Sequence, residues 1–234
     1  MGYPRASMRA VVAGQVHVQE HPVHFGGGTL LTRMTVFTLA DGGLVIHSPV
    51  PFDDALRAEV VRLGEVRAIV APSTCHHLFV ADAQRAFPGV PTFAVDGLQA
   101  KRRDLVLQSF PEALWAADID RVTIGNRIMR EVVLLHRATR TLIVVDLVEN
   151  FHDETPGIDR VMRMWLSVLG LWNRPRPAPE LRWLTRDRVA ARHALETILA
   201  WDFDRMVIAH GELIEHGAKD AIREAWRFVL NRAK

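Results

Sequence analysis

Apolar and polar side chains alternate from Arg33 to Leu39, through Met34-Thr35-Val36-Phe37-Thr38. Asp41-Gly42-Gly43 follows, a strong turn signal, and then Leu44-Val45-Ile46-His47. Period-two alternation on both sides of such a turn predicts a β-hairpin. Asp53 or Asp54 then caps a helix running to about Leu63, with Gly64 as its stop. Arg67–Val70 and Thr92–Val95 read as buried strands, separated by a helix over Leu78–Phe87 that Pro88-Gly89 ends. Residues 44–95 therefore alternate strand, helix, strand, helix, strand. That order predicts parallel strands with helices packed on a sheet.

Downstream, Arg121–Ile124, Glu131–His136 and Thr141–Val145 are strands with short connections, which predicts an antiparallel meander. The last third is helical. Ile158–Leu171 carries a dense apolar face of Ile158, Val161, Met162, Trp165, Leu166 and Leu169. A loop with Pro175, Pro177 and Pro179 follows, then a helix over Asp187–Trp201, a strand over Arg205–Ala209 and a final helix over Lys219–Leu230. The apolar helix and the proline-rich segment after it could line a hydrophobic pocket or a homodimer interface. Ordinary core packing is the bland alternative.

Composition narrows the function classes. The chain has 234 residues, 49% hydrophobic and 24% charged, enough for a real core and ordinary for one globular α/β domain over residues 1–234. The net charge is +2 and the longest like-charged run is Lys101-Arg102-Arg103, which gives no electrostatic case for nucleic acid. Cys75 is the only cysteine, so an internal disulfide is excluded. No apolar run reaches the roughly 18–20 residues a membrane span needs. Met1–Arg9 lacks the apolar core of a secretory leader, and Ala6 stands where a myristoylation signal requires Ser or Thr. The expectation is a soluble cytoplasmic protein.

Candidate chemistry sits where strands end. His76 and His77 follow Ala68–Ala71 through Pro72-Ser73-Thr74-Cys75; Asp146 ends Leu142-Ile143-Val144-Val145; His210 ends Met206-Val207-Ile208-Ala209 and precedes Gly211; His47 ends Leu44-Val45-Ile46. In open α/β sheets ligands gather at strand ends, and imidazole with carboxylate suits zinc or iron. Each residue also has a structural reading: a hydrogen-bonded strand-end imidazole for His47, a turn-capping carboxylate for Asp146, a helix-start pair for His76-His77. Four such strand ends in one chain make metal binding the reading to test. His136, ending the strand Glu131–Leu135, either faces the same edge or belongs to the turn that Arg137 and Arg140 make polar. Glu131 is a minor candidate as a substitute ligand, and His152 in the polar loop Glu149–Glu154 as an outer support. Cys75 beside His76 reads as incidental rather than nucleophilic, and no G-x-S-x-G elbow is present.

A strand, a His-rich turn and helix, a strand ending in Asp and a late strand ending in His-Gly together resemble the metallo-β-lactamase superfamily. More narrowly, the chain resembles a bacterial and plant branch of it. The matching segments are Met34-Thr35-Val36, His47-Ser48-Pro49, Ala71-Pro72, His76-His77-Leu78-Phe79, Arg140–Ile143 with Asp146, Trp201–Arg205 and Ala209-His210-Gly211. The resemblance implies an αββα sandwich of mixed sheets flanked by helices. The superfamily motif H-x-H-x-D-H, laid so that its last His falls on His77, reads Pro72-x-Thr74-x-His76-His77. Its first two histidines are thus replaced, and no histidine stands near Arg127 to Glu131 where the later ligand of the first metal belongs. What the resemblance leaves is one mononuclear site. His76, His77, Asp146 and His210 are its ligands, and its metal is one divalent ion, zinc first, with iron or manganese as alternatives.

Two functions follow. One is a metal-dependent hydrolase acting on a small-molecule substrate, with a metal-bound water as nucleophile, Asp146 orienting it, and His47 or His136 moving protons. The other is a non-catalytic scaffold of the same fold that binds a small molecule or partner, with the His/Asp cluster kept for structure.

Overall fold

The structure, a computed structural model, describes residues 7–111, 115–126 and 128–231. Position 127 and most of the N-terminal segment read for a leader lie outside the described residues. The chain divides into two compact units: Met1–His21 with Thr32–Ile119, and Pro22–Leu31 with Asp120–Lys234.

The first unit is built on a six-stranded mixed sheet whose strands lie in chain order: β1 (Arg9–Val12), β2 (Val16–Phe25), β3 (Gly28–Thr38), β4 (Leu44–His47), β5 (Val66–Ala71) and β6 (Thr92–Ala94). The ends of β2 and β3 at residues 22–31 count with the second unit. β3 and β4 pair antiparallel, and β4, β5 and β6 pair parallel. The connections dictate this. The β3–β4 link is the tight turn in which the Gly43 amide donates to Asp41 Oδ1 at 2.8 Å, whereas the parallel pairs are joined through α1 (Asp54–Leu63) and α2 (Val80–Ala86). Asp53 caps α1 by accepting the Leu56 amide at 2.6 Å. Leu56 and Val60 of α1 and Ala83 of α2 pack on Met34, Val36, Ile46 and Ile69. α3 (Leu98–Lys101) closes the described helices of the unit.

Two departures from the pattern reading are physical. The pattern does not predict β1 and β2, because Val-His-Val-Gln-Glu-His-Pro mixes Val16 and Val18 with two histidines and a proline. Both valines are nevertheless buried, as is Arg33, which pairs with Glu20 at 2.5 Å. α2 starts two residues later than Leu78, which stays exposed in the turn.

The second unit carries a four-stranded mixed sheet in the order β10 (Arg205–Val207), β9 (Thr141–Ile143), β8 (Arg130–His136), β7 (Ile119–Gly125). β8 and β9 run antiparallel and β9 and β10 parallel. Its helices are α4 (Arg160–Val168), α5 (Pro179–Leu184), α6 (Arg188–Ala200), α7 (Ala218–Ala225) and α8 (Arg227–Leu230). Leu195 and Ile198 of α6 and Ile222 of α7 bury Val133, Leu135, Leu142 and Met206 of the sheet. Asp159 caps α4 by accepting the Met162 amide at 2.8 Å, and its second oxygen accepts the Thr29 amide at 2.7 Å. Met162 and Leu166 then pack with Leu30, Phe151 and Leu171.

The proline-rich segment expected to be a loop contains α5, because Pro179 occupies a first-turn position that needs no N–H. The single helix expected over Lys219–Leu230 breaks at Trp226, whose indole N–H donates to the Leu147 carbonyl at 2.9 Å.

Candidate metal centre

Two strands far apart in sequence place Asp146 beside His210. β9 and β10 are parallel and in register, with Ile143 opposite Val207. Each residue lies three positions beyond its strand, so the two side chains emerge from the same sheet edge. His210 Nε2 stands 4.0 Å from Asp146 Oδ1. That is too long for a hydrogen bond. Two donors on a tetrahedral ion with bonds of about 2 Å stand about 3.3 Å apart, so a small inward movement of either side chain would let both ligate one cation.

The imidazole is prepared for this. His210 Nδ1 lies 2.9 Å from the Leu31 carbonyl, which can only accept, so Nδ1 carries the proton and donates it. In the neutral ring Nε2 then holds the lone pair, which is the arrangement in metal-bound histidines. Gly211 is required next to it. Its φ is +89°, and a Cβ there would come within 2.1 Å of the Asn150 carbonyl. The Asn150 amide donates to the His210 carbonyl at 3.3 Å and the Glu212 amide to the Asn150 carbonyl at 2.7 Å, fixing the loop. The His152 ring is bound to the Asn150 side chain, Nε2 to Oδ1 at 2.8 Å, which makes it a support of the same loop.

Beneath Asp146 lies Glu131, fully buried. The β8–β9 register, continued past Ile143, sets Glu131 opposite Asp146. Its two oxygens accept the Val145 amide at 2.7 Å and the Asp146 amide at 2.9 Å. Burial, then the charge of Asp146, raises the Glu131 pKa above the ordinary carboxylate range, while the backbone donors act against this. Burial, then Asp146, Glu180 and Glu131, raises Glu149 as well. Glu131 is therefore a backbone anchor of the Asp146 turn rather than a substitute ligand. A concentration of buried acid of this kind is relieved by a cation.

The same register corrects the reading of His136. It pairs with Thr141 at the start of β9, five residues and roughly 17 Å along the strand from Glu131. Its Nδ1 is bound to Thr139 Oγ1 at 2.7 Å. His136 is thus a buried turn residue at the opposite sheet edge from Asp146, away from any proton transfer there.

In the first unit, His47 and His76 gather at the ends of β4 and β5. Ser48, with φ +54°, donates its amide to the Val70 carbonyl at 3.0 Å, and its hydroxyl meets His76 Nδ1 at 2.8 Å. That bond orients the His76 ring. His47 is buried to 1% exposure, and burial, then the charge of His76, lowers its pKa to about 3. Among the described residues its Nε2 has no hydrogen-bond partner. A ring held neutral so far below pH 7 does not serve the proton-transfer role expected of His47.

His77 is occupied differently. Arg102 Nη1 lies 3.0 Å from His77 Nδ1 and also donates to the His77 carbonyl at 2.9 Å. A guanidinium only donates, so Nδ1 accepts and the ring proton resides on Nε2. Burial, then Lys101 and Arg102, lowers the His77 pKa to about 4, keeping the ring neutral. With its one lone pair spent on Arg102, His77 has none for a metal, which corrects its assignment as a ligand.

Ser48, Arg102 and Asn150 were not anticipated. Ser48 directly follows His47 and Arg102 lies in the basic triplet, but nothing in their spacing marks the pairing. The Leu31 carbonyl carries no sequence signal at all.

The fold agrees with solved metallo-β-lactamases. The structure of the enzyme from Erythrobacter litoralis with β-mercaptoethanol in its active site aligns at TM-score 0.62 and 14% identity, covering 99% of this chain and 97% of that one. VMB-1 aligns at TM-score 0.66 and 9% identity over 98% and 99%. The metallo-β-lactamase FIM-1 from Pseudomonas aeruginosa in its mono-zinc form aligns at TM-score 0.57 and 12% identity over 98% and 95%. Identities this low establish the fold alone. No curated protein matches the sequence. Residues 29–180 match the family model of a domain of unknown function, DUF4336. With that match spanning more than half its length, the chain belongs to the DUF4336 family.

Proposed function

We propose that the chain is a mononuclear metal-dependent hydrolase that holds one divalent cation through His76, Asp146 and His210, with zinc as the first candidate. In this reading Asp146 and His210 supply two ligands and His76 the third. The observation that carries the reading is the 4.0 Å separation of His210 Nε2 and Asp146 Oδ1, with the imidazole proton held on the far nitrogen by the Leu31 carbonyl. Ser48 holds the His76 ring at Nδ1, where its hydroxyl can donate or accept. Three protein ligands are the number found in catalytic zinc sites, which keep a position open for water. The mono-zinc state of the FIM-1 neighbour is a precedent for one ion in this fold.

A bound divalent cation would supply Lewis acidity and lower the pKa of a coordinated water towards neutrality. The chain's own contribution is positional. Glu131 fixes the Asp146 turn, Leu31 and Gly211 fix the His210 ring, and Asp146 would orient the nucleophile.

A non-catalytic scaffold is the competing reading. Pro72 and Thr74, standing where the superfamily motif places its first two histidines, favour it. Metal analysis of protein purified without added metal separates the two. About one equivalent of zinc, iron or manganese, lost in the His76→Ala/His210→Ala double variant, supports the metal reading. Metal-free protein that also fails to take up zinc on titration, with unchanged melting in the double variant, leaves the scaffold.

A further inference from the structure

One polar atom of His77 is left over. Arg102 holds the ring at Nδ1, 3.0 Å away, and the carbonyl at 2.9 Å, which fixes the ring proton on Nε2, across the ring from the guanidinium. That Nε2–H meets no acceptor among the described residues, although His77 is only 8% exposed. Buried polar groups are hydrogen-bonded as a rule, so a spare donor on an anchored ring marks a place where a ligand supplies the acceptor.

The anchor is itself anchored. Arg102 Nη2 and Nε donate to the two carboxylate oxygens of Asp104, at 2.6 Å and 2.8 Å. The chain from Asp104 through Arg102 to His77 selects one tautomer and one ring orientation, and it uses up the Asp104 charge. Lys101 adds a second cation to the same turn. Its Nζ donates to the Thr74 carbonyl at 2.8 Å, three residues before His77. An ammonium has three donors, and Lys101 makes no ion pair among the described residues. After burial, the Lys101 charge acts on the His77 ring more strongly than that of Arg102, which touches it. The ring is thus a neutral donor in a positive field. Its bond to a cation at Nδ1 polarises the opposite N–H and favours a charged acceptor.

We propose that His77 Nε2–H and the Lys101 ammonium bind an oxyanion, the carboxylate or phosphate group of a small-molecule ligand, at the turn between β5 and α2. A neutral carbonyl would satisfy the imidazole but leave the lysine without a counter-charge. The inference does not rest on the metal reading, since both groups lie in the first unit and neither is offered as a metal ligand.

The test is NMR of the 15N-labelled full chain, read from the His77 ring and from the backbone amides of residues 73–78. Before any ligand is added, the ring should show the Nε2–H tautomer at neutral pH. Inorganic phosphate and, in a separate arm, acetate are then titrated at an ionic strength held constant with sodium chloride. At least one should give a saturating shift, and the tighter of the two assigns the group. His77→Phe keeps the ring and removes the donor, and it should weaken binding about tenfold or more. Lys101→Met should weaken it about fivefold at unchanged melting temperature, and Lys101→Arg should restore most of the loss. The opposite tautomer, no saturable response to either anion, or an affinity unaltered in Lys101→Met overturns the proposal. His210→Ala removes a proposed metal ligand in the other unit and should leave anion binding intact. Loss of the response in that variant would assign the anion to a metal and overturn the proposal as well.

Discussion

Glu131 grips the backbone of Asp146: one carboxylate oxygen accepts the Asp146 amide at 2.9 Å while the other accepts that of Val145 at 2.7 Å. Glu131→Ala would leave two buried N–H groups without acceptors, each costing about 1–3 kcal/mol. The expected loss, read by chemical denaturation, is about 2–4 kcal/mol. Glu131→Gln retains one acceptor but turns an NH₂ towards the other amide, so it should fall between wild type and alanine. A neutral alanine variant would show that the anchor carries no stability.

Asp146 has the opposite profile. Its role in binding predicts that Asp146→Asn changes metal-free stability by less than about 1 kcal/mol, because the isosteric amide keeps its volume and removes a charge pressed against Glu131. Zinc at a hundredfold excess over its Kd should stabilise the wild type by about 2.7 kcal/mol, and that gain should vanish in the variant. Thermal melts with and without zinc measure both. A metal-free melting loss larger than the lost zinc effect would make the carboxylate structural.

Gly211→Ala tests the loop that carries His210. The left-handed backbone and the 2.1 Å approach to the Asn150 carbonyl leave no space for a methyl group. Backbone strain and the forced shift together predict a loss of about 3 kcal/mol, with weaker zinc uptake as the ring moves. Full stability in this variant would mean the loop relaxes freely.

The Arg102 guanidinium also grips Asp104, at 2.6 Å, and this hydrogen bond is the largest cause holding the Asp104 pKa down, to about 2. The sign follows from the depression. The pairing contributes to stability above the unfolded carboxylate pKa of about 3.9, and the contribution is lost as pH falls through about 2. NMR titration should find an Asp104 midpoint near 2 in the wild type and near 3.9 in Arg102→Ala. An unmoved midpoint in the variant would remove Arg102 as the cause.

Much of this architecture is written in local pattern. Alternation at Met34–Leu39 with the Asp41-Gly42-Gly43 turn marks the β3–β4 hairpin, Asp53 and Gly64 bracket α1, and the apolar strands before Asp146 and His210 mark the edge where both emerge. The ligand roster is harder to read, because it depends on what else each ring touches. His76 and His77 are equivalent in sequence, yet Ser48 orients one and Arg102 occupies the other. His136 ends a strand as His210 does, but its strand runs the other way, and antiparallel pairing carries it to the wrong edge. Strand direction, not residue type, separates the two. β2 was hidden for a related reason: its Arg33–Glu20 pair lets polar residues be buried, which alternation alone reads as solvent-facing.

The parallel pairing of β9 with β10 has one more outcome. Adjacent strands stand about 4.8 Å apart, and a shift of a single residue turns a side chain to the other face. Asp146 and His210 come from chain segments 64 residues apart in sequence, aligned only by that ladder. On the proposed metal reading, cation affinity would therefore report correct strand threading: a molecule whose late strand had docked one step out of place would not bind the ion even with its secondary structure native.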